Sequence, residues 1–479
     1  MKHHPLSKRI GLFLGPLLFT IVQILPFEMV SEKADTVIAV ALWMVLWWIT
    51  EAVSISVTSL LPLLLFPLFK IMPIADVGAN YGSPIVFLFF GGFILALALE
   101  KVNLHKRIAL TIIKLTGTSP NRVILGFMIA TAFMSMWISN TASTVVMLPI
   151  AMSVINLLVN DEDGFTKKDK NFALSVMLGI AFSANAGGIA TVIGTPPNSV
   201  LIGLLENEYN TTINFVDWML IGLPFSTTLI TIIYFVLVKW MFPNKGLVFD
   251  ASKSVIKTEL NKLGKTSSKE KQVLITFAVI VSLWIFRGVI NKYIPGLGLT
   301  DTMISIFGAI ALFAIPHRLK EGDFILEWKD TSKLAWGILI LFGGGLALAK
   351  GMSASGIVDV VATTISNSDI SILVMASLLI ILMLFMTELM SNVALTAVLA
   401  PVVAGIAIGL NIPILYLLIP VTIASSCAFM LPMATPPNAI VFASGYIKVH
   451  QMARVGVILN LIAVSLLILM FQFVIPLIF

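Results

Sequence analysis

The sequence holds one cysteine, Cys427, so no disulfide can form within the chain and cysteine usage says nothing about redox compartment. Its five histidines, His3, His4, His105, His317 and His450, fall in polar connecting stretches. Apart from the adjacent His3–His4 pair none has metal-ligand spacing, which argues against a histidine-built metal centre. Charged residues make up only 11% of the chain, too few to cover a soluble domain. No Ser–His, His–Glu or paired-Asp arrangement lies inside the apolar runs, which speaks against an intramembrane enzyme. The net charge of +6 sits in short loops, so it is no nucleic-acid footprint and no nucleic-acid partner is expected.

What is abundant is apolar sequence. Hydrophobic residues make up 58% of the 479, and mean hydropathy is +1.02. The apolar runs are continuous rather than alternating, which indicates an all-α polytopic membrane protein facing lipid and excludes a β-barrel.

Charge sets the expected topology. Lys2 to Arg9 is basic and precedes an uncleaved helix with its N-terminus inside; Glu28–Asp35 is acidic and fits the outside. Helices are expected at about 36–50, 53–69 and 84–100, with Glu51 as an interfacial carboxylate. Lys101 to Arg122 reads as an amphipathic helix on the cytoplasmic face. The stretch 242–271 has seven lysines against three acids and is a basic cytoplasmic linker that divides the chain in two.

The second half repeats the first. Phe90-Gly91-Gly92 returns as Phe342-Gly343-Gly344, Ser139-Asn140-Thr141 as Ser391-Asn392-Val393, and Thr195-Pro196-Pro197-Asn198 as Thr435-Pro436-Pro437-Asn438. Each Ser-Asn triplet lies midway along an apolar segment, where short polar side chains compete for backbone hydrogen bonds and break the helix. The first such segment, from Val123, has charged cytoplasmic flanks on both sides, which predicts a re-entrant hairpin with its tip at 139–141. The second, 370–410, has no basic residue between Lys350 and Asp369 before it, which predicts a hairpin opening outside with its tip at 391–393. The expected fold is therefore about eleven transmembrane helices plus two re-entrant hairpins in two inverted repeats, with the N-terminus cytoplasmic and the C-terminus outside. The first helix, 1–35, stands outside the repeats. Repeat one is 36–241, with scaffold helices 36–100 and a transport part 119–241; repeat two is 272–479, with scaffold helices 272–351 and a transport part 368–479.

Small polar residues in membrane helices mostly serve packing. Two triplets, two Thr-Pro-Pro-Asn breaks and two Phe-Gly-Gly helices in the same order make packing alone a poor account. Each break restarts a half-helix whose N-terminus offers backbone N–H groups and partial positive charge, and four of them would hold an anion without lysine or arginine. None of these segments carries a basic residue. Side chains of Ser139, Asn140, Thr141, Ser391, Asn392 and Thr435 could hydrogen-bond carboxylate oxygens, and two mirrored sites suit an anion charged at both ends. Unwound carbonyls suit a small hard cation such as Na⁺, and no organic cofactor is expected. Glu388 lies three residues before the second triplet, opposite Met136 in the first half; bracing the hairpin is favoured over taking up a proton.

The stretches Phe133–Thr141, Thr387–Val393, Ala428–Asn438, Trp47–Ala52 and Leu341–Lys350 resemble the divalent anion/sodium symporters, the family of the INDY transporters, and the similarity spans essentially the whole chain. The resemblance implies a plasma-membrane homodimer in which a transport domain moves against a scaffold, as an elevator. It implies substrates such as succinate, malate, fumarate or 2-oxoglutarate. Carried over, the substrate-binding residues are Ser139, Asn140, Thr141, Gly194, Thr195, Ser391, Asn392, Val393, Thr435 and Pro436. One sodium site falls on Ser135, Ser139, Asn140 and the backbone of Ile193 and Gly194; the other on Thr387, Met390, Asn392 and Ala434. Val393 departs from a full Ser-Asn-Thr and removes one hydroxyl. Ser135 and Thr387 favour sodium coupling, with sodium-independent dicarboxylate exchange on the same site as the alternative.

Overall fold

The fold is taken from a computed structural model, which describes residues 6–24, 31–117, 119–159, 165–244, 252–318 and 323–478. The His3–His4 pair, Lys2, Glu28, Asp161 and Lys245 lie outside the described residues. Among the described residues, eight helices are long and apolar enough to cross a membrane, from Ser7–Ile24 to Val449–Ile478, and six shorter apolar helices accompany them. The shorter ones arise mostly where polar residues or prolines cut a run below the roughly 20 residues a bilayer needs.

The run expected at 53–69 is such a case: it forms two pieces, Ile55–Thr58 and Leu61–Leu68. Ser54 caps the first through Val57 N, and Pro62 opens the second. Glu51 ends the preceding Glu32–Thr50 helix in the left-handed conformation (φ 47°) and pairs with Lys8 at 3.3 Å at an exposed junction.

Elsewhere the structure adds elements. The linker holds a helix, Ser252–Lys262, and the next helix begins at Ser268, inside the range read as linker. Ser267 and Glu270 form a reciprocal cap there, a signal that the lysine count obscured. The stretch between Lys350 and Asp369, which has no basic residue, contains the helix Ile357–Ser366. Pro316–Arg318 and Asp323–Phe324 pair as a short antiparallel ribbon.

The centre of the molecule is the Lys167–Gly188 helix, whose residues from Phe172 to Gly188 are all buried. A helix apolar on every side must be surrounded by protein. It packs against Pro120–Ser135, Asn140–Val159 and Phe215–Phe235. A separate, smaller apolar cluster around Met44, Trp48 and Phe66 joins the first helices to Leu341, Ala347 and Leu348 of the Trp336–Ala354 helix. Both triplets fall between helices: Pro120–Ser135 restarts at Asn140, and Ile372–Met386 restarts at Asn392. Both Thr-Pro-Pro-Asn stretches do too, with the chain irregular over 189–195 and 427–435 before Pro196–Tyr209 and Pro436–Phe442.

Candidate functional site

In the first half the structure brings Ser135, Asn140 and Gly194 together. Ser135 Oγ donates to Ala184 O at 2.7 Å and lies 2.5 Å from the Asn140 amide. The Ser135 hydroxyl has one proton, and Ala184 takes it. The Asn140 amide therefore satisfies its surroundings with Nδ2 inward, donating to Ser135 Oγ (2.5 Å), Ala184 O (3.2 Å) and Gly194 O (3.3 Å). A side-chain amide thus faces three oxygens, and glycine is needed to let it: a Cβ on Gly188 would lie 2.5 Å from the inward end of the Asn140 amide. Thr191 Oγ1 donates to Met136 O at 2.6 Å and ties the unwound segment to the first triplet's turn.

The second half repeats this arrangement. Thr387 Oγ1 lies 2.7 Å from both Ser425 O and Asn392 Oδ1. The helix-restart carbonyls are held alike, with Thr144 Oγ1 on Asn140 O and Thr396 Oγ1 on Asn392 O, each at 2.8 Å. Ala184 and Ser425 were missed from sequence because both act through backbone carbonyls, which any residue provides. Of the other expected cation ligands, Ile193, Met390 and Ala434 are buried. Each cluster is an oxygen-rich, uncharged set of the kind that holds an alkali cation.

The expectation of four anion-binding helix N-termini is narrowed. Pro196-Pro197 and Pro436-Pro437 have no N–H, and the first free amides after them are engaged: Asn198 N donates to Thr195 O (3.2 Å) and Asn438 N to Thr435 Oγ1 (3.4 Å). The amides of Phe429, Met430 and Leu431 are engaged as well, donating to the Glu388 carboxylate at 2.8, 2.9 and 3.1 Å. Asn460 Nδ2 adds a fourth bond to Glu388 at 2.7 Å, so this buried carboxylate braces the turn. Backbone donors for a ligand are left at the two triplets, where Asn140 and Asn392 open helices of 20 and 18 residues. Ser139 and Pro436 are exposed, and Thr141, Ser391 and Val393 are half-buried, so these positions stay reachable.

Two adjoining cavities, of about 650 and 400 Å³, share Asn103, Lys106, Val145 and Val146. Ala142 lines the smaller one, so the opening reaches within one residue of the first triplet.

Residues 7–479 match the family described as the sodium:sulfate symporter transmembrane region. A Staphylococcus saprophyticus protein named sodium-dependent dicarboxylate transporter SdcS is 40% identical over 481 residues, covering 99% of this chain and 93% of that protein. The Staphylococcus aureus protein of the same name is 40% identical over 480 residues, covering 98% and 91%. Among solved structures, the Alcanivorax borkumensis YdaH transporter superposes with a TM-score of 0.60 at 13% identity, covering 99% of this chain and all of that one. Neisseria gonorrhoeae MtrF gives 0.52, also at 13% identity, with 94% and 97% covered. These two likenesses concern the fold alone. The chain is an integral membrane protein, a transporter rather than an enzyme, and belongs to the divalent anion/sodium symporter family.

Proposed function

We propose that this protein carries C4 and C5 dicarboxylates such as succinate, malate, fumarate and 2-oxoglutarate across the plasma membrane, driven by sodium. The observation that carries the reading is the pair of matched oxygen clusters, Ser135–Asn140–Ala184–Gly194 and Thr387–Asn392–Ser425. Each would take one Na⁺. The relatives named sodium-dependent dicarboxylate transporters support the same choice of ion and substrate.

The clusters suggest how ion and substrate are linked. The Asn140 amide lies against the carbonyls of Ala184 and Gly194. With Na⁺ among those oxygens, the amide oxygen faces inward and Nδ2 turns away, free to donate to a carboxylate. One substrate carboxylate would then meet Ser139, Asn140 and Thr141 with Gly194 and Thr195 beside it, and the other Ser391, Asn392 and Thr435 beside Val393 and Pro436. Two cations offset the cost of desolvating a dianion. The transport parts 119–241 and 368–479 would carry the site past the scaffold helices in an elevator motion within a homodimer, N-terminus inside and C-terminus outside. Purified protein tests the ligand assignment: succinate should raise Tm in Na⁺ and not in K⁺, and a shift equal in both salts would contradict it.

A further inference from the structure

The two Thr-Pro-Pro-Asn breaks are alike in sequence and unlike in wiring. Thr435 Oγ1 accepts two hydrogen bonds, from Asn438 N at 3.4 Å and from Asn185 Nδ2 at 3.1 Å. A hydroxyl has two acceptor positions and one proton. With both acceptor positions filled, Thr435 can only donate. Asn185 belongs to the other repeat, on the buried Lys167–Gly188 helix, and is itself 1% exposed. Its Nδ2, which has two protons to share, also lies 3.2 Å from Ala428 O and 3.4 Å from Asn438 Oδ1. A carbonyl accepts and never donates, so Ala428 O fixes Nδ2, not Oδ1, as the atom facing the break.

The mirrored break lacks this arrangement. Since Ser135 and Thr387 bond to Ala184 O and Ser425 O, Asn185 corresponds to Ser426. Among the described residues, the buried Ser426 hydroxyl has no hydrogen-bond partner, and the Thr195 side chain makes no cap. Asn198 Oδ1, the counterpart of Asn438 Oδ1, is buried and unpartnered among the described residues.

We propose that Asn185 is a positioning residue for substrate: from the first repeat it locks the Thr435 hydroxyl of the second as an obligate donor to one carboxylate. This rests on the reading that Thr435 meets substrate. The consequence is an asymmetric site. The carboxylate at the second break meets a hydroxyl already oriented to give its proton, whereas the Thr195 side chain at the first makes no such cap.

A double-substitution cycle tests it on the full-length protein, with succinate affinity measured calorimetrically in saturating Na⁺. Thr435→Val should weaken binding about tenfold, the worth of one bond to a charged group. Asn185→Ala should weaken it severalfold, and Asn185→Ala in the Thr435→Val background should add nothing. Equal, independent losses would overturn the proposal, because Asn185 would then act on the fold and not through Thr435. If Thr435→Val binds succinate normally, the assignment of Thr435 to the substrate fails first and this inference with it. Should Asn185→Ala not give folded protein, Asn185→Ser takes its place in the cycle: it retains a polar group too short to reach Thr435, and the same non-additivity is required of it.

Discussion

Ser135 and Thr387 hold equivalent places in opposite halves of the molecule. Each hydroxyl lies 2.7 Å from a carbonyl of the partner helix, Ala184 or Ser425, and each touches the amide of an asparagine five residues on. A serine and a threonine with the same partners, in stretches of sequence otherwise little alike, mark the hydroxyl as the shared requirement.

That hydroxyl should therefore govern sodium. Ser135→Ala and Thr387→Val should each raise the sodium concentration needed for half-maximal uptake about tenfold, roughly the 1.4 kcal/mol of one lost ligand. Thr387→Ser should stay near the unsubstituted protein. Sodium titrations of succinate uptake read the shift.

The two asparagines serve ion and substrate together. Asn140→Ala and Asn392→Ala should each reduce transport to background while the protein still elutes as a folded species. Transport surviving both single changes would remove the site from these triplets. Asn140→Asp keeps an inward oxygen but loses the donor, so it should retain sodium binding and lose succinate binding; calorimetry separates the two.

Glu388 tests the brace. Glu388→Gln can keep the three bonds that Oε1 accepts, from Phe429, Met430 and Asn460, but sets an NH2 against Leu431 N–H, which Oε2 accepts. The loss should be about 3 kcal/mol, given the cost of leaving buried donors unpaired, and visible as a lower Tm. Asn460→Ala removes one bond and should cost less. A Glu388→Gln protein of unchanged Tm would contradict the bracing role.

The elevator reading makes a claim about the boundary between the two parts. Arg287, on the Ser268–Tyr293 helix, pairs with Asp301 at 2.9 Å and donates to Asn214, just before the Phe215–Phe235 helix. Asp301 also accepts from Phe215 N at 2.9 Å, and the Phe215 and Trp284 rings stack with centroids 4.6 Å apart. If the helices slide past each other, these contacts must part. Asn214→Cys with Arg287→Cys, in a Cys427→Ala background, should cross-link under oxidation and stop transport until reduced. A cross-linked protein that transports at the normal rate would deny motion at this boundary.

Much of this was legible in the sequence because the chain says it twice. A single Ser-Asn-Thr is ambiguous, but its return with Thr-Pro-Pro-Asn and Phe-Gly-Gly in the same order fixed which breaks belong together. Glu388 was legible because a carboxylate in an apolar run requires partners. The missing pieces have physical reasons. Ala184 and Ser425 contribute carbonyls, which leave no trace in residue identity. Asn185 carries no sequence signal of its own, and only its reach across the repeats gives it meaning. The Ile357–Ser366 helix escaped because its polar face reads as loop when charge alone is followed. The prolines that signalled the breaks also remove the N–H groups first assigned to them.

The most direct measurement is uptake of labelled succinate into proteoliposomes, with and without an inward sodium gradient, and with and without unlabelled dicarboxylate inside. Sodium-coupled transport predicts accumulation that follows the sodium gradient and needs no internal substrate. Uptake that requires internal dicarboxylate and ignores sodium would contradict it.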